Sequence, residues 1–354
     1  MSQKVIHVGI GTFGKRWCRE FLKTNVDDGT IEVVALVDVD PKALEYGRAM
    51  LGVPAHACYT DAKKAFDEVK ADFCTVVVPP NYHEQIVDIA IAHGVDVLSE
   101  KPIADTMEAS IRIAAKIKAA GLKMAVTMSH RFDQDKTTLR RIIRSGKLGR
   151  VNNISCRYQA DMRQHLAWGA LFRHTMADPM LIEGAIHHLD LVADLAGGRC
   201  DTLFASTWKP DWAEYAGDTD GVVTMVFDNG VRAVYEGSSS TAVGLNDWYQ
   251  EYIRVDCEFG TAILNHREIA VFTRQDLPRQ KHREGTGQKV PLLIQPKWIN
   301  HWLIEQFAQW RAGGPRMETH VEANVQGCAL VFGSIESART NSLVRLQDYI
   351  ASHG

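Results

Sequence analysis

Three residues of this sequence stand out as candidate proton carriers. Lys101 directly precedes Pro102. The proline fixes the chain after it and biases the lysine toward an extended conformation. A lysine held beside a positive charge gives up its proton more readily, which suits acid/base work. Glu183 and His187 stand four apart in Glu183-Gly184-Ala185-Ile186-His187-His188-Leu189-Asp190. On a helix that spacing puts both on one face. The carboxylate then orients the imidazole and stabilises its protonated form, and such a pair can take a proton from a hydroxyl. The ordinary alternatives are a snorkelling surface lysine and a packed helix histidine; for His188 the packed reading is preferred. A metal at Glu183 and His187 would need a third ligand from elsewhere, and none is expected.

A second motif handles phosphate. Gly9-Ile10-Gly11-Thr12-Phe13-Gly14 follows an apolar run and opens a helical pattern. The first glycine makes a tight turn, the second lets backbone approach a pyrophosphate, and the third lets helix and strand pack closely. The helix N-terminus then faces the negative charge. Asp38 ends the next apolar run. There a carboxylate can bind both ribose hydroxyls of an adenosine and would repel a 2′-phosphate, so the expected cofactor is NAD. Alone, the pattern also fits a structural turn.

Three more polar segments follow apolar runs: Val78-Pro79-Pro80-Asn81-Tyr82-His83, Ser99-Glu100-Lys101-Pro102 and Ser129-His130-Arg131-Phe132. Ligands of open α/β sheets bind outside the carboxyl ends of the strands, so these segments can converge on one crevice. Pro79, Asn81, His83, Glu100, Lys101 and Arg131 join Gly9, Gly11, Thr12, Phe13, Gly14 and Asp38 as candidate cofactor contacts.

The elements that must position these residues alternate in type. Strand signals at Val5–Ile10, Ile31–Val37, Phe73–Val78, Val95–Leu98 and Lys123–Met128 are separated by helical patterns, including Thr106–Ala120 closed by Gly121. Near-continuous apolar strands between amphipathic helices indicate a parallel sheet covered on both faces. After about Gly149 the rhythm changes to longer strands joined by turns. Asp228-Asn229-Gly230 between two apolar runs is a hairpin signal. The expected fold is α/β: an N-terminal Rossmann domain over 1–130, then a C-terminal α+β domain with a largely antiparallel open sheet over 131–354. The closing helices are free to pack back on the first domain. Arg279–Gly287 reads as an exposed loop.

Composition narrows the function classes. Lys+Arg 40 against Asp+Glu 43 gives a formal net charge of −3, with no basic excess to drive nucleic-acid binding. Seven scattered cysteines with no C-x-x-C pair read as reduced thiols. No apolar run is long enough to span a bilayer, and no cleavable apolar segment precedes the first strand. A cytoplasmic protein without membrane or nucleic-acid partners is expected.

The segment 158–174 holds Arg163, His165, Trp168, Phe172, Arg173 and His174, just before the Glu183/His187 pattern. Aromatic faces suit the C–H faces of a sugar ring, and arginine forks suit hydroxyls or an anionic group. Lys101, Arg163, Trp168, Arg173, His174 and His187 are therefore candidate substrate contacts. In Val222-Val223-Thr224-Met225-Val226-Phe227 both alternating faces are largely apolar. A covered second face, and hence a homo-oligomer (dimer or tetramer), is expected.

Taken in order, these segments resemble the glucose–fructose oxidoreductase / inositol dehydrogenase / rhizopine-catabolism (Gfo/Idh/MocA) family over nearly the whole chain. The glycine turn, Val37-Asp38-Val39-Asp40-Pro41, Pro79-Pro80-Asn81-Tyr82-His83, Glu100-Lys101-Pro102, Ser145-Gly146-Lys147-Leu148-Gly149 and His187-His188-Leu189-Asp190 carry it. The resemblance implies an NAD-dependent oxidoreductase moving a hydride between nicotinamide and a carbohydrate or cyclitol carbinol. Lys101 would be the catalytic lysine and His187 the catalytic histidine. Glu183 falls where many members have Asp, and Ala177-Asp178-Pro179-Met180-Leu181-Ile182 replaces the usual glycine-rich approach. Two alternatives stay open: NAD-dependent glycoside cleavage through transient oxidation and elimination, and a non-catalytic NAD-binding regulator.

Overall fold

The computed structural model describes residues 2–167, 169, 171–273 and 286–354. The chain divides into two units. One comprises Met1–Ser129, Lys297–Cys328 and His353–Gly354, the other His130–Pro296 and Ala329–Ser352.

The first unit is built on a parallel six-stranded sheet. Its strands are β1 (Gln3–Val8), β2 (Ile31–Val37), β3 (Cys58–Tyr59), β4 (Phe73–Val76), β5 (Asp96–Ser99) and β6 (Met124–Val126), in the order β3-β2-β1-β4-β5-β6. All pairs are parallel. The strands are apolar because both faces are covered: Val5, Ile6, Phe73, Cys74, Val76, Val97 and Leu98 are all fully buried. Strand order reverses between β1 and β4, which marks a switch point at their carboxyl ends.

The connecting helices begin and end on local chemistry. The first, α1, runs through Thr12–Arg16, a π-helical turn at Trp17–Leu22, and Lys23–Asp27. Asp40 caps α2 (Pro41–Leu51) by accepting the Lys42 N–H. The helices Ala62–Glu68 (α3) and His83–Ala92 (α4) follow. Thr106 caps α5 (Met107–Ala120), and Gly121 ends it at φ 66°.

The second unit holds a nine-stranded mixed sheet. It begins with α6 (Gln134–Arg144) and β7 (Val151–Gln159), followed by α7 (Leu171–Thr175). A π-helical turn, Met180–Ala185, then leads into α8 (Ile186–Ala196). The strands β8 (Cys200–Trp208), β9 (Asp220–Phe227), β10 (Arg232–Ser238), β11 (Tyr252–Cys257), β12 (Gly260–Asn265), β13 (Glu268–Thr273), β14 (Gln288–Val290) and β15 (Val344–Arg345) complete it. The order is β14-β13-β12-β11-β7-β10-β9-β8-β15. Among the described residues of this sheet only β7 and β10 pair in parallel; the other pairs are antiparallel. The Asn229-Gly230 turn joins β9 to β10, with Gly230 at φ +87°. One face of β9 is buried through Val223, Met225 and Phe227. On the other face Phe204, Thr224 and Val234 lie in register across β8, β9 and β10 and are exposed.

The first boundary falls at Ser129/His130, one residue from the expected split. Residues 297–328 group with the parallel sheet, so 131–354 is not one continuous domain. The helix α9 (Ile299–Arg311) carries the reason. Phe307 meets Phe73 edge-on at 5.2 Å, the Ala308 carbonyl accepts from Gln3 Nε2 at 2.6 Å, and Arg311 pairs with Asp96 at 2.7 Å. Most of the expected loop Arg279–Gly287 lies outside the described residues.

Candidate active site

The glycine turn has a steric explanation at two of its three positions. A Cβ on Gly9, whose φ is +97°, would fall 2.3 Å from the Val77 carbonyl oxygen. One on Gly14 would fall 2.2 Å from the Gly9 carbonyl oxygen. At Gly11 a Cβ would meet nothing within 4 Å. The first and third glycines thus serve the fold. The second leaves open space before the backbone, where a pyrophosphate can approach. Thr12 and Phe13 are exposed at the start of α1. Asp38 Oδ2 accepts the Ile10 N–H at 2.6 Å, and its Oδ1 accepts the Asp40 N–H at 2.9 Å. This turn and carboxylate fit an adenine dinucleotide without a 2′-phosphate.

Lys101 is half-buried at the carboxyl end of β5. Its neighbour Glu100 is buried and holds the loop. Glu100 Oε1 accepts from Trp17 Nε1 at 2.9 Å and from Asn300 Nδ2 at 3.3 Å, and Oε2 accepts the Lys101 N–H at 3.2 Å. Burial pushes the Glu100 carboxyl above its usual range, against the Lys101 charge and the Trp17 and Lys101 N–H donors. His83 is also fully buried. Its Nδ1 lies 3.0 Å from the Pro102 carbonyl and its Nε2 2.9 Å from the Val78 carbonyl. It ties the loops after β4 and β5 together. Pro79 and Asn81 lie exposed on the first of these loops.

In the second unit, Glu183 lies in the π-helical turn and His187 in the first turn of α8, so the plain four-residue helical spacing does not apply. Both are nearly buried, at 7% exposure each. Glu183 Oε2 accepts from Arg173 Nε at 2.9 Å. Arg163 is half-buried and grips Asp161 through two bonds of 2.7 and 2.8 Å. His174 is buried and stacks on Tyr215 at 4.2 Å, with His165 at 5.1 Å. Phe172 is exposed beside the Arg173 guanidinium. Trp168 lies outside the described residues. Arg131, expected near the cofactor, sits in a buried ion cluster with Asp190 at 3.1 Å and Asp194 at 2.9 Å, where Arg140 also meets Asp194 at 2.6 Å.

The sequence reading missed the surroundings of His187. The Trp248 ring lies 5.6 Å from His187, 4.8 Å from His130 and 5.5 Å from His188. Tyr249 adopts φ 69° and donates its N–H to Glu251 Oε1 at 3.0 Å. Glu251 is buried, and its Oε2 receives the Lys136 ammonium at 2.7 Å. Burial would raise the Glu251 carboxyl, but His130 and Lys136 outweigh it and hold the group well below the usual range. Lys136 also pairs with Asp135 at 3.3 Å, while Asp133 pairs with Arg267 at 2.7 Å. An acid directly before an apolar strand and a lysine within a buried helix face were the available signals.

Two family models match the chain. One, an oxidoreductase family with an NAD-binding Rossmann fold, covers residues 3–128; the other, the GFO/IDH/MocA C-terminal domain, covers 137–263. The chain belongs to the GFO/IDH/MocA family. It is an NAD-binding oxidoreductase of that family. It is 58% identical to the uncharacterized protein y4oX of Sinorhizobium fredii, over 100% of this chain and 98% of the other. It is 25% identical to the D-apiose dehydrogenase of Paraburkholderia graminis, over 96% of this chain and 88% of that one. In fold it matches an Agrobacterium radiobacter oxidoreductase solved with NAD+, L-tartaric acid and magnesium. That match has a TM-score of 0.83 at 20% identity, covering 99% and 100% of the two chains.

Proposed function

We propose that this enzyme is a dehydrogenase or reductase for a carbohydrate or cyclitol carbinol, with Lys101 and His187 handling the hydroxyl proton. The bound nicotinamide supplies the hydride acceptor or donor. The observation that carries the reading is the pinned Asp38 carboxylate beside an open Gly11, in a chain that also keeps both Lys101 and His187. Lys101 would hold the reacting oxygen and exchange its proton. His187 would be the second proton carrier, with Glu183 tuning it. Retention of both carriers favours catalysis over a purely regulatory role. The aromatic surroundings of His187 support a ring substrate with apolar C–H faces. Arg173 extends the reading to a substrate carrying a carboxylate, at the cost of sharing its guanidinium with Glu183. The dehydrogenase activity of the D-apiose enzyme agrees with this substrate class.

Two further features belong to this proposal. The exposed row Phe204, Thr224 and Val234 would be covered by a second copy of the chain. All seven cysteines are free thiols, and among the described residues no helix is long and apolar enough to cross a membrane. Both agree with a cytoplasmic setting. A screen of cyclitols, aldoses and sugar acids for NAD reduction tests the activity. Reduction by a ring polyol, lost in Lys101→Ala, is the expected result. Activity confined to compounds without a sugar or cyclitol ring would overturn the substrate class.

A further inference from the structure

His130, His188 and Glu251 come from three separate segments: the turn Ser129–Phe132, helix α8, and the residue before β11. All three are buried, at 2%, 0% and 1% exposure. One ring nitrogen from each histidine and one carboxylate oxygen lie within 4.8 Å of one another. His130 Nε2 is 2.9 Å from Glu251 Oε1, yet the ring N–H is not aligned on an acceptor. His188 Nε2 lies 3.4 Å from the same oxygen and is hydrogen-bonded to it, so the misalignment is confined to His130.

Two donor atoms that share an ion at about 2.1 Å, at angles of about 90–110°, stand roughly 3.0–3.4 Å apart. The lone pair of each then points at the ion and not at its fellow ligand. The His130–Glu251 and His188–Glu251 contacts have close to that spacing, and His130 has that misalignment. The outer contacts also fit. His188 Nδ1 meets the Tyr235 hydroxyl at 3.1 Å, a typical brace for a ligating imidazole. Tyr249 N–H and Lys136 orient the two oxygens of Glu251. Lys136 sits on the far oxygen, Oε2, and its charge is shared with Asp135 at 3.3 Å and Asp133 at 4.0 Å.

We propose that His130, His188 and Glu251 form a binding site for a divalent transition-metal ion of the zinc class. Two imidazoles and one carboxylate select against calcium and magnesium, which prefer all-oxygen shells. The ion would tie three segments together around Trp248, whose ring touches all three histidines including His187. Its role is structural, and the hydride and proton steps proposed above do not pass through it.

The test uses full-length protein without a histidine tag, purified without chelator. Elemental analysis should find about one zinc-class ion per chain. Cobalt(II) added to chelator-stripped protein should give visible ligand-field bands. His188→Gln and Glu251→Gln should abolish them, and His187→Ala should keep them. If the variants do not fold, the stripped wild type decides: added zinc should raise its Tm by several degrees. Metal-free wild type with no cobalt bands and no zinc-induced rise in Tm would overturn the site. Bands lost in His187→Ala but kept in His188→Gln would overturn the ligand set.

Discussion

Asp38 Oδ2 accepts the Ile10 N–H at 2.6 Å, so the carboxylate that ends β2 is pinned to the middle of the glycine turn. Its second oxygen is held by the Asp40 N–H. A carboxylate fixed in this way cannot swing aside for a 2′-phosphate. Asp38→Ser should therefore cut the preference for NAD over NADP by about tenfold or more, roughly the effect of one charged contact. Fluorescence titration of both cofactors checks this. Wild-type protein that binds NADP more tightly than NAD would refute the role of Asp38.

Lys101→Ala should lower turnover by about two to four orders of magnitude with little change in NAD affinity, as for loss of a general acid/base. His187→Ala should behave alike. An unchanged turnover number in either variant would remove that residue from the proposed mechanism.

The Arg173–Glu183 pair makes a different prediction. Glu183 is almost buried, and Arg173 Nε is a charged donor to it. Arg173→Met should destabilise the protein by about 1.5–3 kcal/mol, and adding Glu183→Gln should restore part of that loss. Denaturant unfolding of the single and double variants measures the coupling. The same Arg173→Met change should raise KM for an acidic substrate far more than for a neutral one. Equal effects would argue against anion recognition.

His7 gives a pH dependence. It is fully buried, and burial lowers its pKa to about 3, against a weaker opposing contact with the Gly9 backbone. Above about pH 6.5 the ring is neutral whether the chain is folded or unfolded. Between there and about pH 3 the unfolded chain takes up a proton that the folded chain refuses, so stability falls as pH falls. The slope from this one group approaches about 1.4 kcal/mol per pH unit. His7→Gln should flatten the loss of Tm between pH 6 and pH 4 (roughly the middle of that window). An unaltered slope would show that His7 is not the titrating group.

Val234→Arg places a charge in the exposed row formed with Phe204 and Thr224. Light scattering should show the wild type as a dimer or larger and the variant shifted toward monomer. A monomeric wild type at micromolar concentration would sink the subunit interface.

Much of the first unit was legible because a buried parallel sheet writes itself as apolar runs, and glycines such as Gly9 and Gly14 have no steric substitute. The Asn229-Gly230 hairpin was legible for a similar local reason. Non-local pairings were not. The sequence has no local mark for Arg173 meeting Glu183, or for Lys136 meeting Glu251 across 115 residues. The π-helical turn at Met180–Ala185 also hid from periodicity, since one wider turn barely disturbs an apolar pattern. His83 and Glu100 sit at strand ends, where ligand contacts are expected. Their burial and carbonyl or amide partners show side chains that hold those strand ends in place.

Glu100 joins Trp17 of the first helix, the main chain at Lys101 and Asn300 of α9 in one hydrogen-bonded frame. The dinucleotide unit is therefore not a cassette that ends near residue 129. A chimera that takes residues 1–129 from one parent and the remainder from a distant relative would separate Glu100 from the Asn300 that donates to it. The lysine loop would then be complete in sequence but misaligned in space. Exchanges between relatives should carry residues 1–129 and 297–328 together, as a single heritable block split in two along the chain.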